Sequence, residues 1–189
     1  MSNLTKKTLA ASGTELLKTK SLDRITIKEI TDRCGLTRNA FYYHFSDVYE
    51  LLGWMLTSKA DEIIKAFGKE TDWEKGFEEG LTFLYENKAV IYHIYRSLNR
   101  EFLEKYLDRV VSEYALKLVR IHTAKSSASK EAEMLVADFY KNAFVGVVMR
   151  WIDRDMNVSG EKLAKTCDIM LKGTVDAALK SAEEVIRTI

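Results

Sequence analysis

The stretch Thr26–Leu51, TIKEITDRCGLTRNAFYYHFSDVYEL, contains two short helical segments separated by a glycine. Thr26 followed by Glu29 is a capping box, in which the threonine hydroxyl accepts a backbone N–H and the glutamate reaches back to the threonine N–H. Gly35 can take the positive φ that ends a helix, and Thr37 can cap the helix that follows. The stretch therefore predicts a helix, a tight turn and a second short helix, which is the helix-turn-helix arrangement.

Outside this stretch the chain is also helical in pattern. Its 189 residues include no proline and only nine glycines, and β-rich folds need more of both in their turns. Apolar residues recur at spacings of three and four, which is typical of amphipathic helices. We predict an all-α fold of about nine helices, over residues 4–19, 27–34, 38–44, 47–68, 71–87, 88–98, 100–124, 130–152 and 160–187, with a second capping box at 71–74.

The length suits one domain or two small ones that share a core. We predict a three-helix module over residues 1–47, followed by a helical bundle over residues 48–189. The chain is 47% hydrophobic and 30% charged, and no apolar run approaches the roughly 20 residues that span a bilayer. Cys34 and Cys167 lie far apart in the sequence, so we expect two free thiols rather than a disulfide.

Charge is unevenly distributed along the chain. The formal net charge is only +1, but residues 1–45 hold eight basic and four acidic side chains, so this segment is +4 and the remainder is −3. A difference in sign between chain regions indicates a module that faces nucleic acid.

The residue types of the second short helix match the chemistry of DNA. Arg38 can form two hydrogen bonds with a guanine and Asn39 can form two with an adenine, near the N-terminus of a recognition helix. Hydroxyl groups, ring N–H groups and helix N-terminal amides suit phosphate oxygens. The side chains expected to contact DNA are Thr26, Lys28, Thr37, Arg38, Asn39, Tyr42, Tyr43 and His44.

The same segment resembles the TetR family of bacterial one-component transcription regulators. The family pattern is met by Thr26, Ile27, Ile30, Gly35, Leu36, Thr37, Phe41, Tyr42, His44, Phe45, Asp47 and Leu51. Cys34 stands where a small alanine is usual. Val48 stands where the family commonly has a lysine that reaches a phosphate, so we expect that contact to be lacking here.

The resemblance implies a homodimeric regulator that binds a palindromic double-stranded operator in the major groove. Members of the family mostly repress, and two helices of each subunit form the dimer interface. The apolar stripes on the last two predicted helices fit that interface, with candidate residues Phe139, Tyr140, Ala143, Val147, Trp151, Leu163, Met170 and Thr174. Residues 139–159 resemble a subfamily that includes DhaS-like regulators of dihydroxyacetone-kinase operons.

Aromatic residues of the middle helices are mostly core, and in a TetR-like fold some would line an effector cavity. The candidates are Trp54, Phe77, Tyr92, Tyr95, Phe102 and Tyr106. We therefore predict a repressor released by a small effector. The alternative is a coregulator or activator whose C-terminal domain binds a partner protein instead.

An enzyme is the least favoured class. The three histidines, His44, His93 and His122, have no metal-ligand spacing, and no glycine-rich loop could cradle a phosphate. We expect no cofactor, no metal and no membrane partner. The expected location is the bacterial cytoplasm, on the nucleoid when DNA is bound.

Overall fold

The computed structural model describes residues 2–67, 73–124 and 128–188. Within these ranges the chain forms ten α-helices and one short 3₁₀ helix, and it forms no strand. The predicted all-α fold class is thereby confirmed. The elements are α1 (Ser2–Leu17), the 3₁₀ helix (Leu22–Arg24), α2 (Ile27–Cys34), α3 (Arg38–Tyr42), α4 (Val48–Phe67), α5 (Trp73–Glu86), α6 (Lys88–Tyr95), α7 (Glu101–Thr123), α8 (Lys130–Asp153), α9 (Gly160–Leu171) and α10 (Thr174–Ile186).

The prediction of about nine helices agrees with the ten described, and the difference of one arises because the last predicted helix is two in the structure. Gly173 has φ +77°, a left-handed conformation that interrupts α-helical geometry between α9 and α10. The other boundaries agree to within a few residues. The second predicted capping box, at 71–74, lies partly outside the described residues.

Two compact units divide the chain. The first unit holds the residues up to Glu62 together with Asn87–Tyr106, and the second holds Ile63–Glu86 together with the residues from Leu107 onward. The predicted domain boundary at residue 47 is a different division, drawn from the motif, and it stays a prediction.

In the first unit, α1 packs on α2 and α6, and α2 packs on α3. The side chains that fill this core are almost completely buried: Leu9, Leu17, Ile30, Phe41, Leu51, Leu52, Ile94 and Leu103. The Ser12 hydroxyl is buried with them and donates a 2.8 Å hydrogen bond to the Ile30 carbonyl. These contacts fix α2 against α1 and α3 against α2.

In the second unit, α5 packs on α9, and α10 packs on α8. Aromatic rings fill the interior: the ring of Phe77 lies 5.0 Å from that of Phe144 and 6.0 Å from that of Tyr114, centroid to centroid. At the start of α9, a Cβ on Gly160 would lie 2.7 Å from the backbone of Leu81 and Thr82. Only glycine allows the two helix backbones to approach this closely.

Candidate nucleic-acid interface

The turn between α2 and α3 is built by the groups that the sequence predicts. The Glu29 N–H donates to the Thr26 hydroxyl at 3.3 Å, and the Thr26 N–H donates to the Glu29 carboxylate at 3.0 Å, which completes the capping box. At the other end of α2, Gly35 has φ +68° and its N–H donates back to the Thr31 and Asp32 carbonyls. Both ends of this short helix are therefore fixed locally.

Glu29 is the electrostatic centre of this turn. The Lys20 ammonium donates to the Glu29 carboxylate, and the Thr26 N–H and hydroxyl donate to it as well. The Lys20 hydrogen bond, followed by those of Thr26, lowers the pKa of Glu29 from 4.5 to about 2. The Thr26 hydroxyl gives its one proton to Glu29 and accepts from the Glu29 N–H, so in this arrangement it caps α2. Contact of Thr26 with DNA stays a prediction.

The candidate recognition helix α3 buries the phenyl ring of Phe41 and exposes its polar side chains. The Thr37 hydroxyl accepts a 3.2 Å hydrogen bond from the Ala40 N–H and caps the helix. Phe41 and Phe45 are buried, with ring centroids 5.8 Å apart, so they hold α3 to its module. Tyr42 is 57% exposed and Tyr43 is 83% exposed. The exposed surface continues through Arg38 and Asn39 at the N-terminus of the helix.

All eight residues predicted to contact DNA lie in the first unit. Seven of them are exposed and His44 is half-buried, with its ring edge-on to that of Tyr43 at 4.9 Å. Lys28 and Arg38 have no ion pair with any residue that the structure describes. Both side chains are exposed, so these two cations are open to solvent.

Some of the basic residues in this region act within the fold instead. The Lys6 ammonium lies 5.4 Å from the centroid of Phe45 and 5.9 Å from that of Trp54, so it links α1 to the residues after α3 and to α4. Sequence reasoning missed this contact, because nothing in the spacing of Lys6 and Trp54 signals it. Lys18, the residue after α1, pairs with Glu15 near the end of that helix.

The residues predicted to line an effector pocket divide between the two units. Trp54, Tyr92, Tyr95, Phe102 and Tyr106 belong to the first, whereas Phe77 belongs to the second and is packed among other rings. A groove of about 430 Å³ lies in the first unit, but it runs between α1 and α2. None of the six lines this groove, whose walls are Lys7, Thr8, Ala11, Ser12, Glu15, Arg33 and Cys34.

The residues predicted to form a dimer interface divide by exposure. Phe139 is 67% exposed and Met170 is 72% exposed, and Ala143, Val147 and Thr174 are also at the surface. Leu163 is half-buried.

Two other members of that set, Tyr140 and Trp151, are buried in their own chain, at 7% and 4% exposure. The Tyr140 hydroxyl donates to Thr174 at 2.9 Å, and the Trp151 indole N–H donates to the Val158 carbonyl at 3.0 Å. These two side chains therefore pack their own unit rather than offer a surface.

Two other classes of site, a metal cluster and a membrane-spanning helix, do not occur in the described part of the chain. Over residues 2–67, 73–124 and 128–188, no three His, Cys, Asp or Glu side chains come together as a metal site. No helix in these ranges is long and apolar enough to cross a membrane.

Comparison with known proteins identifies the family. Residues 9–53 match the model of bacterial regulatory proteins of the tetR family, and residues 71–173, more than half of the chain, match that of a transcriptional regulator C-terminal region. The chain belongs to the TetR family. Both matches describe transcription regulators rather than enzymes, and the first covers the helix-turn-helix, as the resemblance implies.

A sequence relative of this TetR-family protein is the HTH-type dhaKLM operon transcriptional activator DhaS of Lactococcus lactis subsp. lactis (strain IL1403). The two are 25% identical over 120 residues, which are 60% of this chain and 64% of that relative. The match thus spans just under two thirds of the activator's length.

Solved structures show the same fold. The dihydroxyacetone kinase operon activator DhaS superposes with a TM-score of 0.75 at 20% identity, covering 92% of this chain and 97% of that one. A tetR-family regulator from Streptomyces coelicolor gives 0.66 at 14% identity, covering 98% and 88%. The fatty acid degradation regulator FadR from Bacillus halodurans gives 0.64 at 13% identity, covering 88% and 97%.

Proposed function

We propose that this TetR-family regulator is a homodimer that binds a palindromic operator, with α3 of each chain in the major groove. The observation that carries the proposal is the composition of the exposed side of α3. Arg38 and Asn39, the side chains that read guanine and adenine edges, stand at the N-terminus of a helix anchored by Phe41. Tyr42 and Tyr43 present hydroxyl groups beside them, which suit backbone phosphates.

The apolar surface of α8 supports the homodimer. Leu135, Phe139, Ala143 and Val147 are spaced by four, so they share one face of the helix, and all four are exposed in the single chain. α10, which packs on α8, also exposes Thr174 and Ala177. A second copy of the same faces would remove this surface from water, as an isologous interface does.

The regulatory consequence we propose is repression: the dimer occludes a promoter until a small effector favours a conformation with lower DNA affinity. The same proposal includes three further points. The DNA-binding domain ends at residue 47, the protein is located in the cytoplasm, and it contacts DNA in the nucleoid.

A second candidate is activation through a partner protein. Two observations favour it. The relative from Lactococcus lactis is an activator by name, and Phe77, which we predicted to line a pocket, packs against Trp73, Tyr114 and Phe144. A filled interior beside an exposed apolar face suits a protein partner better than a small ligand.

The test is selection of the wild-type protein against random double-stranded DNA, followed by binding measurements on the selected duplex. We expect an inverted repeat whose half-sites lie about 34–36 Å apart, two chains per duplex and a steep loss of affinity as salt rises. No enriched sequence, or an affinity insensitive to salt, would contradict the proposal. A promoter reporter carrying that duplex then separates repression from activation by the sign of the change.

A further inference from the structure

α6 is tied to the C-terminal end of α1 by one side chain. His93 on α6 is half-buried, and its Nδ1 lies 2.5 Å from the carbonyl oxygen of Leu17, the last residue of α1. A carbonyl can only accept, so Nδ1 carries the proton in this contact. The last carbonyls of a helix have no partner within the helix, and His93 supplies one.

A second tertiary contact, this one buried, continues from α1 to the helix-turn-helix. The Ser12 hydroxyl donates to the Ile30 carbonyl of α2 at 2.8 Å, and Ser12 is almost fully buried. The hydrogen-bonded residues in these two contacts are 76 and 18 positions apart in the sequence, so both are tertiary. Together with the packing of α1 on α6 and α2, they form one connected route from α6 to α2.

We propose that His93 is a positioning residue for DNA binding: by holding α1 against α6, it holds the helix-turn-helix in the arrangement that binds the operator. This inference rests on the proposed function. Loss of the hydrogen bond would let α1 and α2 sample other positions, and the apparent affinity falls with the fraction of competent molecules. Because His93 touches no base, the loss applies equally to every DNA sequence.

The experiment measures affinity for the duplex selected by the wild-type protein. His93→Phe keeps a ring of similar size but has no donor, whereas His93→Gln keeps a donor that can reach the carbonyl. We expect His93→Phe to bind about fivefold more weakly, the effect of one hydrogen bond, and His93→Gln to bind within about twofold of the wild type.

The matched control is His122→Phe. His122 lies on α7 in the second unit and bonds Asp176 at 2.8 Å, so His122→Phe also removes a tertiary hydrogen bond of a histidine, at a more exposed site away from α1. The His122→Phe variant is expected to bind the selected duplex with unchanged affinity. Amide hydrogen exchange in His93→Phe is expected to quicken in α2 while it stays unchanged in α8 and α9 of the second unit, whereas a general loss of stability would quicken exchange in both units.

A further variant tests the route itself. Ser12→Ala alone is expected to weaken binding, and Ser12→Ala with His93→Phe is expected to cost less than the product of the two single effects, because both break one route. If His93→Phe does not fold, His93→Leu takes its place in the same comparison.

The outcomes separate this inference from the proposed function. A wild-type chain that selects no duplex overturns the proposed function, and the inference with it. A wild type that binds, beside a His93→Phe variant of equal or higher affinity, overturns only the inference. Equal losses in His93→Phe and His93→Gln would also overturn it, since the donor would then not matter.

Discussion

The two helices α3 and α8 divide their side chains in the same way but expose different chemistry. Each buries aromatic residues, Phe41 on α3 and Phe144 on α8. The outward face of α3 carries guanidinium, amide and phenol groups, whereas one exposed stripe of α8 carries the hydrocarbon side chains of Leu135 and Phe139. Side chains that end in hydrogen-bonding groups suit a polar ligand such as DNA. Exposed hydrocarbon side chains lower the free energy only when another apolar surface covers them and removes them from water.

This difference explains why the shape of the α2–α3 turn was predictable from local sequence, whereas the exposed face of α8 was predictable only in part. Phe139 and Val147 are exposed, as a dimer face requires, but Tyr140 and Trp151 of the same predicted set are buried. The α2–α3 region is fixed by contacts over a few residues, namely the Thr26 and Glu29 cap and the positive φ of Gly35, which sequence reasoning can predict. The exposed face of α8 is whatever α10 and the remaining elements of its unit leave uncovered. That outcome depends on packing partners far along the chain.

The largest effect is expected from Phe139→Asp, which places a charge in the proposed dimer face. Dimers should dissociate, and operator affinity should fall by about 100-fold or more because the two half-sites are no longer bound by one linked molecule. Sedimentation velocity and binding to the selected duplex measure the two effects. Met134→Asp is the matched control, because Met134 is 61% exposed on the same helix but lies on another face.

A dimer that survives Phe139→Asp unchanged would break the comparison between α3 and α8. The hydrocarbon face of α8 would then be covered by something other than a second copy. An equal effect of Met134→Asp would show that the variant acts through α8 stability rather than through an interface.

The next effect concerns the interior of the second unit. Gly160→Val forces a branched side chain into the backbone of Leu81 and Thr82, and it should reduce the free energy of unfolding by about 2 kcal/mol or more. In contrast, a Cβ on Gly146 would meet no atom of the described residues within 4 Å outside its own helix backbone and chain neighbours, so Gly146→Ala should stabilise α8 by up to about 1 kcal/mol. Denaturant unfolding of both variants in the Phe139→Asp background removes dimerisation from the comparison.

Equal stability of the Gly160→Val variant and its parent would mean that α9 can move away from α5 at little cost. The core of the second unit would then be softer than its ring packing indicates, and a ligand could open it.

Several features of the fold could not be predicted, for identifiable reasons. Gly173 lies within an unbroken helical pattern, and only its φ of +77° shows that the chain turns there. A spacing of three and four places Tyr140 and Phe139 in the same apolar stripe, but packing on α10 buries the first and leaves the second exposed. His93 and Lys6 bind partners distant in sequence, so no local pattern marks them.

A smaller effect is expected at α3, where two variants sharpen the division between base and phosphate contacts. Arg38→Ala should cost about tenfold in affinity for the selected duplex and relax the preference at one base position. Tyr43→Phe should weaken binding to all sequences alike, because a phosphate contact carries no base information. A panel of duplexes with single base changes measures both. An Arg38→Ala variant that keeps the full preference would rule out the base contact.

The smallest effect is expected from Glu29→Gln, and it tests whether local electrostatics hold the α2–α3 turn. The Lys20 and Thr26 hydrogen bonds lower the pKa of Glu29 from 4.5 to about 2 in the folded chain, so the unfolded chain binds this proton more readily. Glu29 therefore stabilises the fold above about pH 4.5 and loses that contribution as the pH falls toward 2. Thermal unfolding between pH 6 and pH 2 should show the wild type losing its advantage over Glu29→Gln within this window. Lys20→Met, which removes the largest cause of the shift, should move the lower end of the window upward in pH. A constant difference between wild type and Glu29→Gln at every pH would mean that the cap stabilises the turn by geometry alone, without help from the charge.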